Sequence, residues 1–186
     1  SDEITVSGPL SIGGSGRVDL GQDNASDSIT VSGDTTVVNG GQLRGRGGDD
    51  TIALNGSAND IAGSVSAGAG DDTVTIGGIA SFTGSLTGGS ETTADTLNVN
   101  GDSDFSGGTL QDFENGVLAD GVTMTVTEGQ HDDFDSITDT GDTTIVIAGP
   151  GGTVTSFSDI ETSEYANAGN ITFTFGSGAD AQNYLS

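Results

Sequence analysis

Carboxylates are the side chains of this sequence best suited to chemistry, and they recur at nearly fixed intervals. The phrase Asp-(Thr/Ser/Glu)-apolar-x-apolar-x-Gly occurs at Asp2–Gly8, Asp27–Gly33, Asp50–Gly56, Asp72–Gly78 and Asp95–Gly101, with leading aspartates 25, 23, 22 and 23 positions apart. Two of these aspartates are doubled, as Asp49-Asp50 and Asp71-Asp72. A steady period of this size marks a repeat architecture in which equivalent residues stack. Stacked strands lie about 4.8 Å apart, so Asp50, Asp72 and Asp95 would form one column and Asp49 and Asp71 another. Carboxylates that close either bind cations or have their pKa raised. Two roles are open to them. One is capping of the turn through backbone hydrogen bonds, a habit of Asx residues. The other is calcium binding, since oxygen-only ligands in a flexible turn suit that ion. Asp49, Asp50, Asp71, Asp72 and Asp95 are therefore the candidate metal ligands, and calcium is the candidate cofactor.

The elements that must hold these carboxylates are short strands. In Asp72–Gly78, Val74 and Ile76 fall on one face while Thr73 and Thr75 fall on the other. β-branched residues dominate these segments, and glycine ends each one. A second, weaker strand is expected in Val38–Leu43, Ile61–Val65, Phe82–Leu86 and Phe105–Leu110. The series continues through Asp120, Asp142 and Asn170, at steps of 25, 22 and 28 from Asp95. No stretch has a helical period, and glycine is too frequent for helices. The expected fold is therefore all-β: one domain, a parallel β-helix (β-solenoid) of about eight coils, roughly 22–25 residues each. Residues 1–101 carry the regular repeats, 102–176 are more aromatic and degenerate, and 177–186 form a tail. Tyr184 and Leu185 in that tail are expected to cover an edge or dock onto a neighbour.

The turn Gly68-x-Gly70-x-Asp72-x-Val74 resembles the calcium-binding nonapeptide of RTX proteins, the parallel β-roll family, and Gly45-x-Gly47-x-Asp49 is a shifted partial match. That resemblance implies backbone carbonyls and an Asp carboxylate folded round calcium. One such turn appears here per coil, whereas RTX repeats recur every nine residues. The longer coil, the glycine turns and the phrases Leu110-Gln111-Asp112-Phe113-Glu114 and Phe157-Ser158-Asp159-Ile160-Glu161 resemble bacterial β-solenoid surface proteins, including autotransporter passengers and large adhesins. This second resemblance implies an extracellular role in adhesion, surface coating or fibre building.

Composition narrows the partners. Twenty-eight acids stand against three arginines (Arg17, Arg44, Arg46) and no lysine, for a net charge of −25. Such a chain has no basic face for nucleic acid or an anionic membrane. Its self-repulsion calls for screening by salt or bound cations. There is no cysteine, and the longest apolar run, Ile145–Ala148, is far too short to span a bilayer. The chain opens without Met and enters the repeat at Asp2, which is expected of a mature chain lacking its signal peptide or of a piece of a longer one.

Three readings of function follow. The first is a self-assembling structural module whose solenoid ends or edges pair with copies of itself. The second uses an outward Thr/Ser face, with Thr30, Thr51, Thr73, Thr75 and Thr96 as its centre, to bind ice or surface glycans. The third is a polysaccharide lyase or hydrolase with a carboxylate pair in a cleft. No enzyme is expected. The carboxylates belong to the repeat, no nucleophile-elbow pattern is present, and the single histidine, His131, reads as part of a solvated acidic loop.

Overall fold

A computed structural model of the chain describes residues 1–21, 23–90 and 93–148, and the backbone of a strand at 170–175. The first coil is built from β1 (Glu3–Val6), β2 (Leu10–Ile12) and β3 (Arg17–Asp19), and the second from β4 (Ser28–Val31), β5 (Thr35–Val37) and β6 (Gln42–Gly47). The third comprises β7 (Thr51–Leu54), β8 (Asn59–Ile61) and β9 (Ser64–Ala69), and the fourth β10 (Thr73–Ile76), β11 (Ile79–Phe82) and β12 (Ser85–Ser90). Then come β13 (Thr96–Val99), β14 (Ser103–Asp104), β15 (Thr109–Gln111), β16 (Asn115–Leu118), β17 (Thr123–Thr127), a one-turn helix α1 (Glu128–His131), β18 (Ser136–Asp139), β19 (Asp142–Ala148) and β20 (Asn170–Phe175).

Every strand pairing is parallel and joins successive coils. Sheet A runs β1-β4-β7-β10-β13-β16-β18, sheet B runs β2-β5-β8-β11, and sheet C runs β3-β6-β9-β12-β15. A fourth sheet, β14-β17-β19-β20, continues the side of sheet B, with Ile79 donating its N–H to the Asp102 carbonyl at the junction. The fold is the expected parallel β-solenoid, with three strands per regular coil and about six turns rather than eight.

The smaller number of turns has a physical cause. Sheet A shortens its period after Asp95, because Thr96 pairs with Asn115 and Asn115 with Ser136. The alternating segments after Asp120 and Asp142 belong to β17 and β19 on a different side. The expected second strand is likewise two strands meeting at a corner. Ile61 ends β8 and Val65 lies in β9, with Gly63 between them.

Alternation puts one row of each sheet into the core. Ile29, Ile52, Val74 and Leu97 form one buried column, and Val31, Leu54, Ile76, Val99 and Leu118 another. Leu43, Val65 and Leu86 fill the opposing side from sheet C. Each such side chain stabilises the fold by about 1.5–3 kcal/mol through loss of apolar surface to water. Where Gly116 interrupts the column, Ile137 and Phe134 pack into its space. Phe82 and Phe105 meet edge to face, with ring centroids 5.4 Å apart.

Sheet C ends against α1. Thr127 and Gln130 form a reciprocal capping box at its N-terminus. The Gln130 side chain also donates to the carbonyls of Phe105 (2.9 Å) and Gly108 (3.1 Å). His131 is buried in this turn and does not lie in a solvated loop.

Replacing a column residue should cost far more than replacing its outward neighbour. Ile52→Ala is predicted to lower unfolding free energy by about 3 kcal/mol in urea titration. Ala53→Thr, on the outer face of the same strand, should change it by less than about 0.5 kcal/mol.

Candidate functional site

The repeated aspartates form a ladder inside the solenoid. Asp27, Asp50, Asp72 and Asp95 are all at least 96% buried, at the corner leading into sheet A. Each turns one carboxylate oxygen back onto the backbone of the preceding coil. Oδ1 of Asp50 accepts the N–H of Asp27 at 2.8 Å, Asp72 accepts that of Asp50 at 2.7 Å, and Asp95 accepts that of Asp72 at 2.7 Å. Asp27 accepts the N–H of Asp2. Glu114 ends the series by accepting the N–H of Asp95 at 2.7 Å. Hydrogen bonds to an ionised acceptor are roughly twice as strong as neutral ones. This ladder therefore ties coil to coil at a corner where the strand pairing stops.

The doubled aspartates add a bond in the opposite direction. Asp49, exposed, accepts the N–H of Asp71 at 3.0 Å, and Asp71 accepts that of Thr93 at 2.7 Å. At each Asp-Asp pair the outer carboxylate thus reaches forward and the inner one reaches back. Asp102 and Asp120 repeat the forward bond, accepting from Thr123 (2.8 Å) and Asp142 (3.0 Å). Of the two roles open to Asp49, Asp50, Asp71, Asp72 and Asp95, capping is thus visible, but between coils instead of within a turn.

The inner carboxylates are only half satisfied. Oδ2 of Asp27, Asp50 and Asp72 is buried without a hydrogen-bond partner. Space for it comes from sheet C. A Cβ at Gly45 would lie 2.5 Å from Oδ2 of Asp50, and one at Gly88 would lie 2.5 Å from Oδ2 of Asp95. Removing this charge from water pushes the Asp50 pKa up to about 6, opposed by the hydrogen bond from Asp27 and reinforced by the charges of Asp72, Asp27 and Asp49. Burial also raises Asp72, against the bond from Asp50. Asn59 shows the satisfied alternative at another corner. Its Oδ1 accepts from Thr35 N–H (2.8 Å), and its Nδ2 donates to the carbonyls of Leu54, Gly56 and Gly78.

The threonine face is in register. Ser28, Thr51, Thr73 and Thr96 form one outward row of sheet A, and Thr5, Thr30, Ala53, Thr75 and Asn98 form the next. Tyr184 and Leu185 lie outside the described residues. Among the described residues no group of three or more His, Asp or Glu side chains is arranged to hold a metal ion, so the candidate ligands form columns and not a cage.

One feature escaped the sequence reading. Arg46 adopts φ = 96°, and its partners in the next two coils are Gly68 (φ = 131°) and Gly89 (φ = 128°). A side chain in that region costs about 1–2 kcal/mol. Comparing Gly45-Arg46-Gly47-Gly48 with Ala67-Gly68-Ala69-Gly70 would have exposed it as an arginine in a glycine row.

The raised carboxyls give stability a defined pH slope. A folded pKa of about 6 above a reference of 3.8 means that the folded state holds a proton the unfolded state lacks between those values. Stability from Asp50 therefore rises as pH falls, by about 1 kcal/mol between pH 7 and 5 and by about 3 kcal/mol once pH is below the reference value. Buried His131 works the other way, because burial lowers its pKa, against the charge of Asp132, and stability is lost as pH falls through the usual histidine range. Asp50→Asn isolates the carboxyl. It should keep the fold at pH 7 and lack this titration, so that the wild-type-minus-mutant stability difference grows as pH falls from 7 to 5, read from urea midpoints. Asp50→Ala removes the acceptor for Asp27 and should cost about 1–3 kcal/mol at pH 7.

No protein-family model, curated protein or solved structure matches the chain.

Proposed function

We propose that this chain is a structural module of a bacterial extracellular fibre, surface layer or adhesin, and that it assembles by stacking solenoid ends. The observation that carries this reading is the first coil. Ile4, Val6, Leu10 and Val18 are only partly buried, although their partners one coil on, Ile29, Val31, Thr35 and Leu43, are almost fully buried. The outer edges of β1, β2 and β3 pair with no strand among the described residues. Asp2 occupies the ladder position of Asp27, Asp50, Asp72 and Asp95, yet its side chain is exposed. A further coil laid on this end, from a second copy or from more of the same polypeptide, would complete three sheets, the apolar rows begun by Ile4, Val6, Leu10 and Val18, and one rung of the ladder. Strand addition of this kind supplies main-chain hydrogen bonds along a ready-made edge.

Calcium enters this reading as a counter-ion for the net charge of −25, with exposed carboxylates such as Asp49 as its contacts. The buried Asp50, Asp72 and Asp95 are committed to backbone N–H groups. The reading assigns no catalytic residue. A second reading, ice or glycan binding, is favoured by the in-register threonine rows of sheet A; thermal hysteresis of monomeric protein would support it over stacking.

Stacking predicts filaments or short rods in negative-stain electron microscopy, with three strand edges at each contact. Val6→Lys and Leu10→Lys together should abolish them while leaving the melting temperature of the monomer within a few degrees. Uniform monomers at high protein concentration, in calcium and in chelator alike, would contradict the proposal. Calcium at constant ionic strength should raise the melting temperature, and an unchanged value would remove the ion from the account.

A further inference from the structure

All three basic side chains of this acidic protein lie on β3 and β6, at the start of sheet C. Arg17 and Asp19 sit on β3, and Arg44 and Arg46 on β6, with Asp19 paired to Arg44 in register. Asp19 is held by two of the arginines. Arg46 donates to both its oxygens at 3.2 and 3.1 Å, and Arg17 reaches it at 2.8 Å. The Arg46 hydrogen bond leads the forces that lower the Asp19 pKa, against its desolvation. Arg44 is different. Its guanidinium donates to the neutral Gln42 side chain at 2.6 Å and makes no ion pair among the described residues.

Beside these arginines is a trough one strand wide. Its floor is β9, with Ser64, Ser66 and Gly68; Arg44 and Arg46 of β6 form one wall and Thr87 of β12 the other. Its volume is about 360 Å³. That lies at the low end of the range of about 300–1,000 Å³ for small-molecule pockets. The trough exists because arginine replaces glycine in one row only. A Cβ at Gly68 would collide with the Arg46 backbone, so the floor stays bare where the wall is tall. Strain at Arg46 in a repeat that otherwise keeps glycine there is the departure from local consistency expected of a site.

We infer that this trough binds a hydroxylated carboxylate, a uronic acid residue either free or at the end of a glycan. Arg44 offers a planar fork to one carboxylate. The Ser64 and Ser66 hydroxyls both donate and accept, as sugar hydroxyls require. A single monoanion matches Arg44, whose charge reaches Asp19 at longer range but which makes no ion pair among the described residues. The trough lies on the side of the solenoid and is independent of end stacking.

The test is an amide chemical-shift titration of the wild-type protein with D-glucuronate, D-glucose and inorganic phosphate in separate arms. Glucuronate should shift Arg44, Ser64, Ser66 and Gly68 saturably, and glucose should bind at least about tenfold more weakly for lack of the charge. Arg44→Gln should weaken glucuronate by about tenfold or more with an unchanged melting temperature. Ser66→Leu, which fills the floor, should abolish the shifts and serves if the arginine variant misfolds. Equal response to glucose, phosphate binding as tightly as glucuronate, shifts elsewhere, or an unaffected Ser66→Leu would each overturn the assignment. The titration is run at a protein concentration below filament onset, so that its readouts stay separate from assembly.

Discussion

A buried carboxylate accepting the backbone N–H of the coil before it is the interaction on which this structure depends. Strand pairing holds the flat sides of a solenoid in register, but the corners have no ladder of their own. At the corner into sheet A, Asp27, Asp50, Asp72, Asp95 and finally Glu114 supply one. A slip of one residue in any coil would break that bond and turn a whole apolar row outward. The ladder therefore selects the register that the hydrophobic columns then reward.

The same device carries a cost. Burying a charge with one oxygen unsatisfied is unfavourable, and the raised pKa of Asp50 expresses that cost as a proton. Asn59 shows that a neutral side chain can cap a corner with every polar atom bonded. Aspartate at the ladder makes coil cohesion respond to pH and ionic surroundings in a way that asparagine would not. For a protein proposed to assemble outside the cell, that responsiveness is a property of the backbone bracket itself.

The sequence revealed the ladder more clearly than the coils around it. Asp27, Asp50, Asp72 and Asp95 were legible because their spacing barely varies and a strand follows each one. Past Asp95 the signal failed for two reasons. Glutamate takes over the capping at Glu114, with a longer reach and a shorter coil, and the threonine-rich alternation of β17 and β19 imitates sheet A while lying on another side. Sheet B was missed because β2, β5 and β8 are three residues long, too short to show a period. The direction of the bonds could not be read at all. An Asp that caps its own turn and one that caps the neighbouring coil have the same sequence. A charge total sums over the chain and not along a column, so it does not distinguish Arg46 from Arg17 or Arg44. Only register places Arg46 among glycines.

The central claim is that these carboxylates lock successive coils, and amide hydrogen exchange tests it most directly. The N–H groups of Asp27, Asp50 and Asp72 lie at corners, where exchange would ordinarily be fast. The ladder predicts that they exchange as slowly as those of Val74 and Leu97 in the core strands. Exchange at the rate of the exposed corner residue Ser57 would contradict it.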